Sequence, residues 1–214
     1  MLEKNNSYFS DIRWDIISLI PAGKHRILEI GCGTGNTGKT LKEQNKAAEV
    51  IGIELVAAAA AEAEKNLDKV IVADIEKLQM PFADEYFDYV ILADILEHLH
   101  NPSQTIERLK KYIKKSGWII ASIPNIRYWK ILNELVIKGR WTYHSDGILD
   151  DTHLRFFTKK SIINLFQSAG FSVDLVTPRF KLQPKKPDNF INSITLGLLE
   201  EFWTMQYIVM AKNI

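Results

Sequence analysis

The residues best suited to chemistry gather in one short stretch, Glu29-Ile30-Gly31-Cys32-Gly33-Thr34-Gly35, where three glycines alternate at the end of an apolar run. Glycines at alternate positions between a buried strand and a helix let backbone approach a ligand closely. Glu29 puts an anion at the strand end, where an ammonium group sits well and a pyrophosphate does not. That favours a zwitterionic, phosphate-free cofactor. Gly33, Gly35 and Gly38 also satisfy G-x-G-x-x-G, so a dinucleotide site is the rival. The register speaks against it. The first glycine of that fingerprint comes straight off the strand, here Gly31, and the pattern then needs glycine where Asn36 stands. Two further acids close apolar runs. Glu54 ends Val50-Ile51-Gly52-Ile53, 21 residues after Gly33, where a carboxylate can accept two ribose hydroxyls. Asp74 ends Val70-Ile71-Val72-Ala73 and suits the exocyclic amine of adenine.

Candidate bases are His98, His100, His144 and His153. His98 follows Glu97 beyond a predicted strand. His153 lies among acids and aromatics, and Asp150 or Asp151 is expected to fix its tautomer. Metal is not expected: His98, His100 and Asp94 form the nearest set, and His-x-His beside an asparagine-proline turn is no ligand pattern. Cys32 sits in the glycine loop without a nearby histidine and reads as structural filling. Tyr8 and Arg13 share a predicted N-terminal helix, from which Arg13 is expected to reach a cofactor carboxylate. Lys181, Lys185 and Lys186 read as a solvated loop.

These groups need a scaffold, and the chain spells one out. Phe9, Ile12, Ile16, Ile17 and Ile20 recur at helical spacing over about 7–20, before Pro21. Strands are predicted over 26–30, 50–53, 70–73, 87–92, 118–123, 171–177 and 202–211. They are apolar on both faces, as strands covered on both sides by helices should be. Helices are predicted between them: to about Gln44, over 56–66, after the Asn101-Pro102 cap with Gln104 completing a capping pair, and from the Thr158 cap to Gly170. The alternation implies right-handed βαβ units, a mainly parallel doubly wound sheet and an α/β class. Residues 125–158 break the rhythm with six aromatics (Tyr128, Trp129, Trp141, Tyr143, Phe156 and Phe157) and read as an insertion over the sheet. A two-strand ending suggests a hairpin. No composition break marks a second domain, so 1–214 is expected to form one.

Charge and composition exclude several classes. With 27 basic and 26 acidic residues the net charge is +1, which gives no electrostatic case for a nucleic-acid or acidic-membrane binder. One cysteine forms no internal disulfide. Apolar stretches fall short of the ~20 residues of a membrane helix, and the start lacks a signal-peptide layout. A cytoplasmic protein, monomeric or homodimeric, is expected.

In order and spacing, ILEIGCGTG, VIGIEL, VIVADIEKL, FDYVILADILEHLHNP and GWIIASIPN resemble the successive motifs of class I S-adenosylmethionine-dependent methyltransferases over Ile12 to Asn125. The resemblance implies a Rossmann-like, three-layer αβα fold with a seven-stranded sheet whose last strand is antiparallel. It implies S-adenosyl-L-methionine as cofactor and S-adenosyl-L-homocysteine as product. Glu29 and Gly31 would lie at the methionine end, with Cys32, Gly33 and Gly35 in the same loop. Glu54 would hold the ribose with Leu55 beside it, Asp74 and Ile75 would lie at the adenine, and Ala93 at the cofactor's edge. Asp151-Thr152-His153-Leu154-Arg155-Phe156-Phe157-Thr158 is similar to a stretch in ubiquinone-type and cell-envelope-associated small-molecule methyltransferases.

The expectation is methyl transfer to a small molecule, on a hydroxyl oxygen, with residues 128–157 as acceptor lid and His153 ahead of His98 as base. An NAD-dependent oxidoreductase leaves Asp74 unexplained. A non-catalytic cofactor-binding module predicts a lid without an open pocket. Nucleic acid is not expected as acceptor, because Ala93-Asp94-Ile95-Leu96 stands where an amino-methylating Asn-Pro-Pro-Tyr tetrapeptide would be.

Overall fold

A computed structural model describes residues 8–182 and 199–214. Seven strands build one sheet: β1 (His25–Ile30), β2 (Ala47–Glu54), β3 (Lys69–Val72), β4 (Phe87–Ala93), β5 (Ile113–Pro124), β6 (Phe171–Pro178) and β7 (Gln206–Asn213), in the order β3-β2-β1-β4-β5-β7-β6. The first five pair in parallel, and β7 runs antiparallel between β5 and β6. The expected mainly parallel α/β sheet with an antiparallel last strand is what forms.

Period-two alternation explains the layers. On β1, Leu28 and Ile30 face one core with Leu96, Ile106, Leu109 and Phe166, while Ile27 faces the other with Ile16, Ile17, Leu41 and Ala63. Helices α4 (Pro102–Lys110) and α6 (Lys159–Ser168) therefore pack on the first face. Helices α1 (Trp14–Ile17), α2 (Asn36–Glu43) and α3 (Ala57–Ala63) cover the second. The caps follow the sequence signals: Asn101 accepts from the Gln104 N–H, and Thr158 forms a reciprocal capping box with Ser161.

Two elements differ from expectation. The helix predicted over about 7–20 is a 3-10 turn at Tyr8–Ser10 followed by the short α1; Ser7 lies outside the described residues. The backbone between them turns to the glycine loop instead of its own helix. Phe9 O accepts from the Thr34 amide (2.9 Å) and hydroxyl (3.0 Å), Ser10 O accepts from Asn36, and the Arg13 N–H donates to Thr37 Oγ1. The strand predicted over 202–211 begins only at Gln206, after α7 (Glu200–Trp203). Asn125 Nδ2 binds the carbonyls of Glu201 and Thr204, and Trp203 packs on Trp129, which holds this stretch as a turn.

Residues 125–158 carry α5 (Trp129–Leu132), a π-helical turn at Asn133–Ile137 and two isolated bridges, but no named strand. Lys185 and Lys186 lie outside the described residues, while Lys181 pairs with Glu200.

Candidate active site

The glycine loop and its acids stand at the carboxyl ends of β1, β2 and β3, with Ala93 at that of β4. Gly31, Gly33 and Gly35 all take positive φ. At Gly33 the requirement is doubled: φ is +53°, and a Cβ would stand 2.4 Å from Phe9 O. Any side chain there would drive the N-terminal segment off the loop. Gly35 caps α2, whose first turn closes as the Lys39 amide donates to Gly35 O (2.9 Å).

Glu54 closes on this loop. Its Oε2 accepts from Gly33 N and its Oε1 from Val56 N, both at 2.9 Å. Each oxygen keeps a second lone pair for a ligand hydroxyl. Leu55 follows, 65% exposed, and the half-exposed Val72 stands in register beside Glu54. Apolar surface is thus left at the ends of β2 and β3, next to Asp74. That residue accepts from Glu76 N (2.9 Å) and pairs with Lys77 (2.9 Å), and the Lys77 hydrogen bond leads in holding its carboxyl below the usual range. Ile75 is buried; Ala93, at the end of β4, is half-buried.

Glu29 lies beneath the loop, 3% exposed. Its Oε2 has no hydrogen-bond partner. Burial pushes its carboxyl up to about 8, against the pull of Arg13 and the Gly38 amide and with the repulsion of Glu54. Cys32 is buried against Gly52, where a Cβ would meet Sγ at 2.4 Å, and burial followed by the charges of Glu29 and Glu54 raises its thiol well above the ordinary value. It is packing, as its sequence context suggested.

Arg13, expected to reach a cofactor carboxylate, is already engaged by the chain's own acids. It is 7% exposed and grips Asp15 with two nitrogens (3.1 and 2.8 Å) and Asp94 with a third (2.8 Å). Burial opposes its charge, but Asp94 and then Asp15 more than offset this, so the guanidinium stays ionised. Asp94 also takes hydrogen bonds from Ser122 Oγ (2.7 Å) and Gln206, at a left-handed backbone position (φ +56°). Any role for Arg13 toward a ligand carboxylate therefore competes with two carboxylates already in place.

The four histidines separate. His100 bonds to Glu76 (3.1 Å), and His144 bridges to Asp150 in the insertion. His98 and His153, 55 residues apart in sequence, meet edge to face with ring centroids 4.7 Å apart. The expected fixing of the His153 tautomer by Asp150 or Asp151 does not occur: His153 Nδ1 contacts Ile148 O at 2.9 Å, and Asp150 accepts instead from the Thr152 amide and hydroxyl. A backbone carbonyl only accepts, so Nδ1 carries the proton and Nε2 the basic lone pair. His98 Nδ1 likewise faces Thr152 O (3.2 Å) and Thr152 Oγ1 (3.1 Å). The meeting of the two rings carried no sequence signal beyond each histidine's own neighbours.

The chain belongs to the methyltransferase-domain family, whose pattern it matches over residues 5–176. It is 33% identical over 154 residues to an uncharacterised protein of Methanocaldococcus jannaschii, covering 71% of this chain and 66% of that one. A ubiquinone biosynthesis O-methyltransferase of Paracidovorax citrulli is 23% identical over 189 residues, covering 82% and 79%. Among solved structures, an S-adenosylmethionine-dependent methyltransferase of Archaeoglobus fulgidus superposes with a TM-score of 0.65 at 21% identity over 97% of both chains. The protein is a class I, S-adenosylmethionine-dependent methyltransferase. The residues present suit that cofactor: an orphaned buried carboxylate for a cation, a glycine loop with no room for side chains, and an acid beside exposed apolar surface. Among the described residues no helix is long and apolar enough to cross a membrane.

Proposed function

We propose that this methyltransferase acts on a hydroxyl oxygen of a small molecule. The observation that carries the reading is His153, placed by the aromatic insertion with its Nδ1 proton committed to Ile148 O, so that Nε2 is the proton-accepting atom. The bound cofactor supplies an electrophilic methyl group on a sulfonium. The chain's share is alignment, exclusion of water and, for a hydroxyl acceptor, removal of one proton. On this reading Glu29 and the loop of Gly31, Cys32, Gly33 and Gly35 hold the methionine end. Glu54 and Leu55 hold the ribose, Asp74 and Ile75 the adenine, Ala93 the cofactor's edge, and Arg13 the cofactor carboxylate. His153 takes the acceptor proton, with His98 packed against it. The near-neutral charge and the O-methyltransferase relative support a small acceptor.

Calorimetric titration with S-adenosylmethionine, S-adenosylhomocysteine and NAD tests the cofactor part; tighter binding of NAD would sink it. Glu54→Ala is expected to weaken cofactor binding by about 1–3 kcal/mol, the cost of losing a charged acceptor, and Asp74→Ala by less. His153→Ala should keep cofactor affinity yet lose about 100-fold in transfer rate to a hydroxyl acceptor. Full turnover in that variant removes His153 from the chemistry.

A further inference from the structure

The fold places three ligating side chains together that the sequence keeps apart. Glu97 and His98 lie on the 3-10 turn Leu96–His98 that follows β4, and His153 comes from the insertion; one donor atom from each lies within 4.8 Å of the others. We infer that Glu97, His98 and His153 form a binding site for a first-row divalent transition-metal ion of the zinc type. This goes beyond the methyl-transfer reading and does not depend on it.

Three features carry the inference. The donor set is two imidazoles and one carboxylate, which suits zinc and its neighbours rather than magnesium or calcium, whose ligands are oxygens. Both rings are oriented from behind: His153 Nδ1 on Ile148 O at 2.9 Å, and His98 Nδ1 on Thr152 O at 3.2 Å and Oγ1 at 3.1 Å. Thr152 Oγ1 donates onward to the buried Asp150 (2.5 Å). An Nδ1–H on an oxygen, leaving Nε2 as the donor, is how metal-binding histidines are held. The site is also pre-built. Glu97 O accepts from both Leu154 N (2.8 Å) and Arg155 N (3.0 Å), which pins the His153 strap to the turn carrying the other two ligands. Ligands of one zinc ion stand about 3.3 Å apart for bonds near 2.0 Å, so closure asks for roughly an ångström of side-chain movement. The set that the sequence offers without a ligand pattern, His98 with His100 and Asp94, is not assembled, because Asp94 is held by Arg13, Ser122 and Gln206 and His100 by Glu76.

Three protein ligands leave a coordination position open, as in catalytic rather than structural zinc sites. In the loaded protein His98 and His153 are ligands, and an acceptor oxygen entering the open position would be acidified by the ion in place of an imidazole base. The metal-free protein would retain His153 as base. The two states are told apart by adding and removing the ion.

The test uses the whole chain, stripped with a chelator, dialysed and titrated with Zn²⁺ by calorimetry and with Co²⁺ by visible absorption. One ion per chain, with cobalt bands of nitrogen and oxygen ligation, is the expected result. His153→Ala and Glu97→Gln should each weaken binding by tenfold or more, and Thr152→Val, which removes the Oγ1 contact behind His98 and its link to Asp150 but no ligand, by about tenfold. Circular dichroism and S-adenosylmethionine affinity establish that each variant is folded. A folded His153→Ala that binds Zn²⁺ as tightly as the parent overturns the site. Should that variant not fold, the parent protein decides: absence of stoichiometric Zn²⁺ binding, or a cobalt spectrum without imidazole ligation, overturns it as well. Zn²⁺ binding without S-adenosylmethionine binding would instead refute the cofactor reading and leave the metal site standing.

Discussion

Replacing Glu29 with glutamine should change how the protein's stability responds to pH. The Glu29 carboxyl is buried, one oxygen lacks a partner, and burial raises its pKa from 4.5 to about 8. Between those values the folded chain holds a proton that the unfolded chain has released. Stability from this group is therefore full below about pH 4.5 and is lost as pH rises through about 8. The loss proceeds at up to ~1.4 kcal/mol per pH unit, about 5 kcal/mol across the window. Glutamine has nearly the same shape and no charge to desolvate, so Glu29→Gln should match the parent near pH 4.5 and exceed it increasingly up to about pH 8. Urea unfolding of both proteins from about pH 5 to about pH 9, with free energies by linear extrapolation, measures the difference. Parallel pH profiles would refute the reasoning and mean that Glu29 is ionised in the ligand-free fold, its charge met by the Arg13 field. The same variant should bind S-adenosylmethionine more weakly if Glu29 faces its ammonium, and then a ligand-linked proton release measured in buffers of different ionisation enthalpy should disappear.

Gly33→Ala combines a left-handed backbone with a 2.4 Å approach to Phe9 O, so it should either displace residues 8–13 or distort the loop. A loss of about 1–3 kcal/mol in stability is expected with weakened cofactor affinity, and unchanged values on both counts would show that the loop opens freely. Asp15→Asn should cost about 1–3 kcal/mol, because Arg13 keeps only the part-exposed Asp94 as its ion-pair partner and Arg179, which meets the Asp15 carboxylate at 2.8 Å, loses that partner. Burial opposes ionisation of Asp15, but hydrogen bonding and charge from Arg13, then Arg179, hold its carboxyl below 3.8. Its contribution is present above that value and lost as pH falls, so the parent's acid-side loss of melting temperature should shrink in the variant; an identical acid limb would remove Asp15 from the account.

Most of the sheet was legible because both of its faces are buried. Strands such as Ile27–Ile30 and Phe87–Leu92 are apolar on both faces apart from the candidate site residue Glu29 and the strand-start Asp88, and capped helices separate them, so little but a doubly wound order satisfies the pattern. The glycine loop and its acids were legible for a related reason: strand ends in such a sheet converge on one edge. What failed to show was set by contacts distant in sequence. The periodicity of Phe9, Ile12 and Ile16 is helical, yet Phe9 O is worth more as an acceptor for the glycine loop than as a link in its own helix. Arg13 reads from sequence as an arm toward a ligand carboxylate, and only the fold shows Asp15 and Asp94 already holding it.

The insertion divides along the same line. Its second half is bound by backbone: Glu97 O takes two amides, and Arg155 donates to His100 O, so His153 is placed with the rigidity of β4 rather than of a loop. Its first half, from Trp129 to Ile137, buries no residue of its own helical turns, and Val136 and Ile137 are 71% and 76% exposed. Position and rigidity thus reside in the half that carries the histidines, which is what proton transfer or metal ligation demands. Apart from Trp129, which packs on Trp203, the outer half is little constrained, and residues such as Val136 and Ile137 can change with little cost to the fold. Periodicity could not separate the two halves, because both read as aromatic and irregular; burial and the hydrogen bonds to Glu97 and His100 tell them apart.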